Sequence, residues 1–169
     1  MTETRTDTPT SWDERSTLLA MLAYVRATVH AKCEGLSDDL ARQAPLPTSP
    51  LTTIGGFVNH LGWVEHSWFE NRFLGEPDRG PWTDEEPDRE MTLGTELPMA
   101  QVLADYAEHC RRSDEIIAAA GLDDLTALPI RSGEHPTLRW VVLHMIEETA
   151  RHNGHLDLLR ELADGVTGD

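Results

Sequence analysis

Residues 138–160 read LRWVVLHMIEETARHNGHLDLLR, and the periodicity of this stretch decides the fold. Leu138, Val141, Val142, Met145, Leu156 and Leu159 recur three and four residues apart, the repeat of an α-helix with one buried face. At roughly 100° per residue, Glu148 and His152 lie about 40° apart inside the same apolar arc. An unpaired charge in an apolar core costs several kcal/mol, so this pair calls for an ion pair, a hydrogen bond or a metal ion. Spacing alone leaves the three open.

Working outward, Pro136 is expected in the first turn of this helix and Gly165 at its end, with VTGD as a tail. Upstream, a third helix is predicted from near Leu97, with Pro98 in its first turn. It buries Val102, Leu103, Tyr106, Cys110 and Ile117 and stops at Gly121. Residues 76–96 hold three prolines and many acids without periodicity, which predicts a long surface loop whose Trp82 could cover an opening.

A second helix runs from about Thr53 to Gly75, with Ile54, Phe57, Val58, Leu61, Val64 and Trp68 on one stripe. His60 sits at the edge of that stripe, whereas His66 points to the opposite side. Gly55, Gly56 and Gly62 each weaken a helix by roughly 1 kcal/mol, which suggests close approach of a neighbouring backbone or ligand. The first helix is expected to start from a Ser11/Glu14 capping box, to bury Leu18, Leu22, Val25 and Val29, and to stop at Gly35. A short helical piece at Ser37–Gln43 and a proline-rich loop follow. Residues 1–10 read as a disordered leader, and residues 11–169 as one domain. No alternating strand pattern occurs, so the expected fold is all-α, a four-helix bundle with long connecting loops.

Against 30 Asp and Glu the chain carries 14 Lys and Arg, a net charge of −16. That field repels nucleic acid and anionic membrane surfaces. No basic segment precedes an apolar run and no window approaches a membrane span, so a cytoplasmic location is expected. Cys33 and Cys110 form no motif and read as small core residues. There is no glycine-rich phosphate loop and no nucleophile elbow.

Glu148 and His152, at i and i+4, can converge on one ion, and His60 from the second helix would supply a third donor. Two histidines and one glutamate from facing helices form a known catalytic zinc set with open positions for water or substrate. His155 reads as a supporting group behind the ligands. His144, on the same flank, could be a supporting group of the same kind, an alternate ligand or an exposed residue. His30, His109 and His135 show no convergence, and Asp157 reads as an outward residue paired with Arg160 or another surface group. Trp63, Trp68, Trp82 and Trp140 could line a pocket, although helical spacing favours the core.

The segments FVNHLGWVEHSWFENRF (57–73) and RWVVLHMIEETARHNGHLDLLRELADGVTG (139–168) resemble the DinB superfamily of metal-binding four-helix bundles, in the branch of mycothiol-dependent transferases and maleylpyruvate isomerase. The resemblance runs over most of residues 11–168. It implies a divalent metal held by His60, Glu148 and His152, with zinc favoured and nickel, iron or manganese able to use the same donors. It also implies mycothiol as the thiol cofactor, a small electrophile as its acceptor, and a homodimer. The isomerase carries a further C-terminal domain, whereas this chain ends at Asp169, so the resemblance favours a free-standing thiol S-transferase. The alternatives are a metal-binding stress-response bundle without catalysis and a thiol-independent metallohydrolase.

Overall fold

The computed structural model describes residues 5–167. Its elements are α1 (Glu14–Cys33), α2 (Asp38–Ala41), α3 (Ile54–Glu65), a π-helical segment (His66–Phe73), α4 (Arg89–Glu96), α5 (Met99–Ala119) and α6 (Leu138–Asp164). Among the described residues the only β-type pairing is an isolated bridge between Leu125 and Thr137, so the chain is all-α. No described helix is long and apolar enough to cross a membrane. The expected leader lies partly outside the described residues. Residues 5–10 carry no helix or strand, and Arg5 stacks over the Tyr24 ring.

Capping residues set most of the boundaries. Thr137 accepts a hydrogen bond from the Trp140 amide at the start of α6, and Gly165, at φ 77°, closes its end. Pro136 therefore precedes the cap and does not stand in the first turn. At α1 the cap is Asp13 and not the expected Ser11. Its carboxylate accepts from the Ser16 amide at 2.9 Å, which places the first turn two residues later.

The predicted 76–96 loop is shorter than expected, because its last third forms α4. Pro77, Pro81 and Pro87 all precede that helix, and an Arg89–Glu96 ion pair spans its length. What stabilises so short a helix is its seat on α3, as isolated helices of this length are marginal. A Cβ on Gly94 would lie 2.2 Å from the Gly55 carbonyl oxygen, so only two glycines permit the backbones to meet there. The Asn59 side-chain amide donates to the Glu90 carbonyl at 2.6 Å across the same contact.

Helix α6 packs along α1, while α3 packs on α4 and α5 and more lightly on α6. One apolar cluster joins Val29, Phe57, Val58, Leu61, Val102, Leu156 and Leu159, and a second joins Leu22, Phe69, Ile117, Leu138, Val141 and Met145. Polar ties run beside them. Asn153 of α6 donates to the Val25 carbonyl at 2.9 Å. Arg160 donates to the carbonyls of Lys32 and Glu34, which the end of α1 leaves open. Asp157 pairs with Lys32 and not with Arg160, because the Arg160 guanidinium is already held by those carbonyls and by Asp164.

The most deeply buried ion pair is Arg26 with Glu65. Its two bonds measure 2.7 and 2.6 Å, the Glu65 residue is 0% exposed, and Asp114 takes a further guanidinium nitrogen at 2.7 Å. Removing one partner strands the other charge, whereas replacing both removes the need for compensation. Urea unfolding of Glu65→Ala is expected to show a loss of about 3–5 kcal/mol, and Arg26→Met/Glu65→Leu a clearly smaller one. Equal losses in both would contradict the pairing.

Candidate metal centre

His60 stands on α3, six residues beyond the Ile54 at which that helix begins, and Glu148 and His152 stand one turn apart on α6. All three are half-buried, and one potential ligand atom from each lies within 4.8 Å of the others. His152 Nε2 is 3.1 Å and His60 Nε2 3.6 Å from the same oxygen, Glu148 Oε1. Tetrahedral bonds of about 2.0–2.2 Å place neighbouring donors roughly 3.3–3.6 Å apart, so this spacing fits one ion between the three groups.

The far side of each ring is also occupied. His60 Nδ1 faces Glu90 Oε1 at 3.4 Å, and His152 Nδ1 faces His155 Nδ1 at 3.2 Å. With the Nδ1 atoms engaged from behind, both Nε2 atoms are turned toward Glu148. His155 therefore reaches the cluster, and Phe57 packs against both its ring and that of His152. His144 instead stacks on Trp140 and meets Trp68 edge-on. Glu90 was not legible as a site residue, because it lies in the stretch that reads as an irregular loop.

Electrostatics follow the contacts. Burial disfavours a charged His60, yet hydrogen bonds to Glu148 and Glu90 outweigh it and raise its pKa above the ordinary 6.5. Hydrogen bonds from His152 and then His60 hold the Glu148 carboxyl well below the usual carboxylate range, so it is an anion at neutral pH. Burial, then the neighbouring His152, depresses His155, which suits a neutral ring accepting a hydrogen bond at its Nδ1 from His152 Nδ1–H.

A second group, His66, Glu70 and His109, corrects two expectations. His66 faces inward and is 1% exposed, and His109 does converge with other titratable groups. The His66 amide still bonds to the Gly62 carbonyl in the α pattern, so its direction is the one the period gives; the side of the helix opposite the apolar stripe is itself covered, by α5 at His109 and by the loop at Arg79. His66 Nε2 accepts the Arg79 amide at 3.1 Å, which leaves its Nδ1–H to donate to Glu70 Oε1 at 3.0 Å. The Arg79 guanidinium takes Glu70 Oε2. Both ring nitrogens of His66 and both carboxylate oxygens of Glu70 are bonded, a cation is already in place, and His109 Nδ1 stands 4.0 Å from Glu70 Oε1. It reads as a latch holding the start of the 76–88 loop, where Trp82 meets Trp63.

Neither cysteine offers a nucleophile. Both are free thiols, and burial pushes Cys33 up to about 12 and Cys110 higher still.

The family model described as MST: Mycothiol-S-transferase aligns with residues 17–165. No curated protein matches the chain.

The raised His60 pKa has a sign that can be measured in metal-free protein. A group whose folded pKa exceeds its unfolded value adds stability that is complete below about 6.5 and is lost as pH rises through the folded pKa. The stability advantage of the native chain over Glu148→Gln should therefore be larger at pH 6 than at pH 8.5. Nuclear magnetic resonance titration of the same variant should show the His60 pKa lowered. An unchanged pKa would remove Glu148 as its cause.

Proposed function

Because the chain belongs to the mycothiol-S-transferase family, within the DinB-like superfamily, we propose that it transfers a low-molecular-weight thiol, mycothiol, to a small electrophile, using a divalent ion held by His60, Glu148 and His152. The observation that carries this reading is the convergence of three ligand atoms from two helices within 4.8 Å. In the same reading α1, α3 with its π extension, α5 and α6 form the four-helix bundle typical of the superfamily. Zinc suits the site best, since a thiolate is a soft ligand and the donor set matches catalytic zinc.

A divalent ion bound there would lower the pKa of a thiol and hold it as the nucleophilic thiolate. The chain's own residues do the rest. Glu148 contributes a negative charge that stays ionised throughout the neutral range, and the two imidazoles contribute neutral donors. Phe57 shields the His152 and His155 rings from water on one side. A mainly apolar open groove of about 460 Å³, with Leu46, His155, Leu158 and Leu162 in its wall and Glu161 at its edge, has a volume suited to a small electrophile. In the transfer the S–H bond breaks and an S–C bond forms. The proton passes to the electrophile's heteroatom on addition, or leaves with the displaced anion on substitution.

The test is a panel of epoxides, unsaturated carbonyls and alkyl halides, incubated with mycothiol and metal-loaded protein, with conjugates detected by mass. Turnover should require the thiol. His152→Ala should reduce it by about a hundredfold or more, corresponding to several kcal/mol of lost stabilisation. Hydrolysis of an ester or amide with no thiol present would favour a metallohydrolase instead. Absence of turnover, together with a large loss of thermal stability on chelation, would favour a structural ion.

A further inference from the structure

We propose that Glu90, on α4, is the positioning residue for His60: its carboxylate fixes the ring so that Nε2 faces Glu148, and its charge strengthens the hold of the centre on a divalent ion. The proposal rests on the metal reading above. It is carried by geometry that the rest of the site does not explain.

Glu90 Oε1 lies 3.4 Å from His60 Nδ1, on the opposite side of the ring from Glu148. A histidine that binds a metal through one nitrogen needs an acceptor for the proton on the other, and a carboxylate is the strongest acceptor available. Glu90 has no other evident task. Its Oε2 is buried with no hydrogen-bond partner among the described residues, and neither Glu90 nor Glu148 is hydrogen-bonded to an Arg or Lys there. Two carboxyl groups thus face one imidazole with no guanidinium or ammonium bonded to either, since Arg151, the cation near Glu148, is held by Glu147; that arrangement is costly alone, and a dication one ring away compensates it.

Glu90 is also delivered with care. Its own carbonyl is bonded by Asn59, the residue just before His60, at 2.6 Å. The Gly55–Gly94 backbone contact brings α4 against α3 at a distance that no other residue pair allows. These two anchors, at Gly55 and Asn59 and so one turn apart along α3 just before His60, fix where the carboxylate can reach.

The test is chelator competition at pH 8 with zinc alone, so that affinity is read independently of turnover. Glu90→Ala should bind zinc 10- to 100-fold more weakly than the native chain while still reaching one ion per chain at saturation. Glu90→Gln keeps an acceptor but loses the charge, so it should fall between the two. Where Glu90→Ala does not fold, Glu90→Gln decides: weaker binding supports the assignment, and unchanged binding overturns it. Affinity within twofold of native in Glu90→Ala also overturns it. A merely structural role for Glu90 would lower the urea midpoint without moving zinc affinity, and that outcome too counts against the proposal. Failure of the underlying metal reading looks different, since the native chain would then bind no zinc, or His152→Ala would bind it equally well.

Discussion

A guanidinium and a carboxylate are buried together at the centre of this protein, and neither could remain there as a charge without the other. Arg26 on α1 reaches Glu65, the last residue of α3, while its neighbour Val25 presents a carbonyl to Asn153 of α6. Two consecutive residues of one helix therefore anchor the two helices that carry the candidate ligands. Glu65 is five residues beyond His60, and Asn153 is one beyond His152. The approach of His60 to Glu148 depends on α1 holding α3 and α6 in register, although α1 contributes no ligand. Lys32–Asp157 and the Arg160 contacts extend the same clamp toward the end of α1.

Much of this was readable in advance because it obeys one period. Leu138, Val141, Val142, Met145, Leu156 and Leu159 are all buried, and the face they define includes Glu148 and His152 as expected. The glycines of α3 likewise mark close approaches: a Cβ on Gly55 would meet Gly94, one on Gly56 would meet Met91, and one on Gly62 would meet His109. What escaped reading has physical causes. Helix α4 has too few residues to show a repeat, and it exists by virtue of a tertiary contact. His66 reads as outward because one apolar stripe suggests one buried face, whereas α5 and the 76–88 loop cover the opposite face of that helix as well. Arg26 and Glu65 each look like ordinary helical surface residues until the partner is known. The ligand set drew on the family resemblance as well as on spacing, since an acid and a histidine four residues apart also describe a simple ion pair.

The two His/Glu groups show why composition alone does not define a metal site. His60, Glu148 and His152 present both Nε2 atoms to one carboxylate oxygen, with other groups behind the rings. His66, Glu70 and His109 have the same composition, but Arg79 supplies an amide to one ring and a guanidinium to the carboxylate. In the first group the remaining lone pairs converge, whereas in the second Arg79 occupies those of His66 and Glu70. Direction of the lone pairs, which no sequence pattern records, separates a receptive centre from a closed one.

The Gly55–Gly94 contact carries a kinetic consequence. Helix α4 lies between the 76–88 loop and the two residues that lead into α5, and it is held by close backbone approaches at Gly55 and Gly56 and a few side-chain bonds, with Glu90 and Gly94 its only fully buried residues. An element with so little apolar burial belongs to the low-energy end of the opening spectrum and can detach as a unit while α1, α3, α5 and α6 stay folded. Each such excursion takes a carboxylate away from His60 and exposes the back of its ring. The lifetime of a bound ion would then follow the opening rate of a single eight-residue helix rather than the stability of the whole domain.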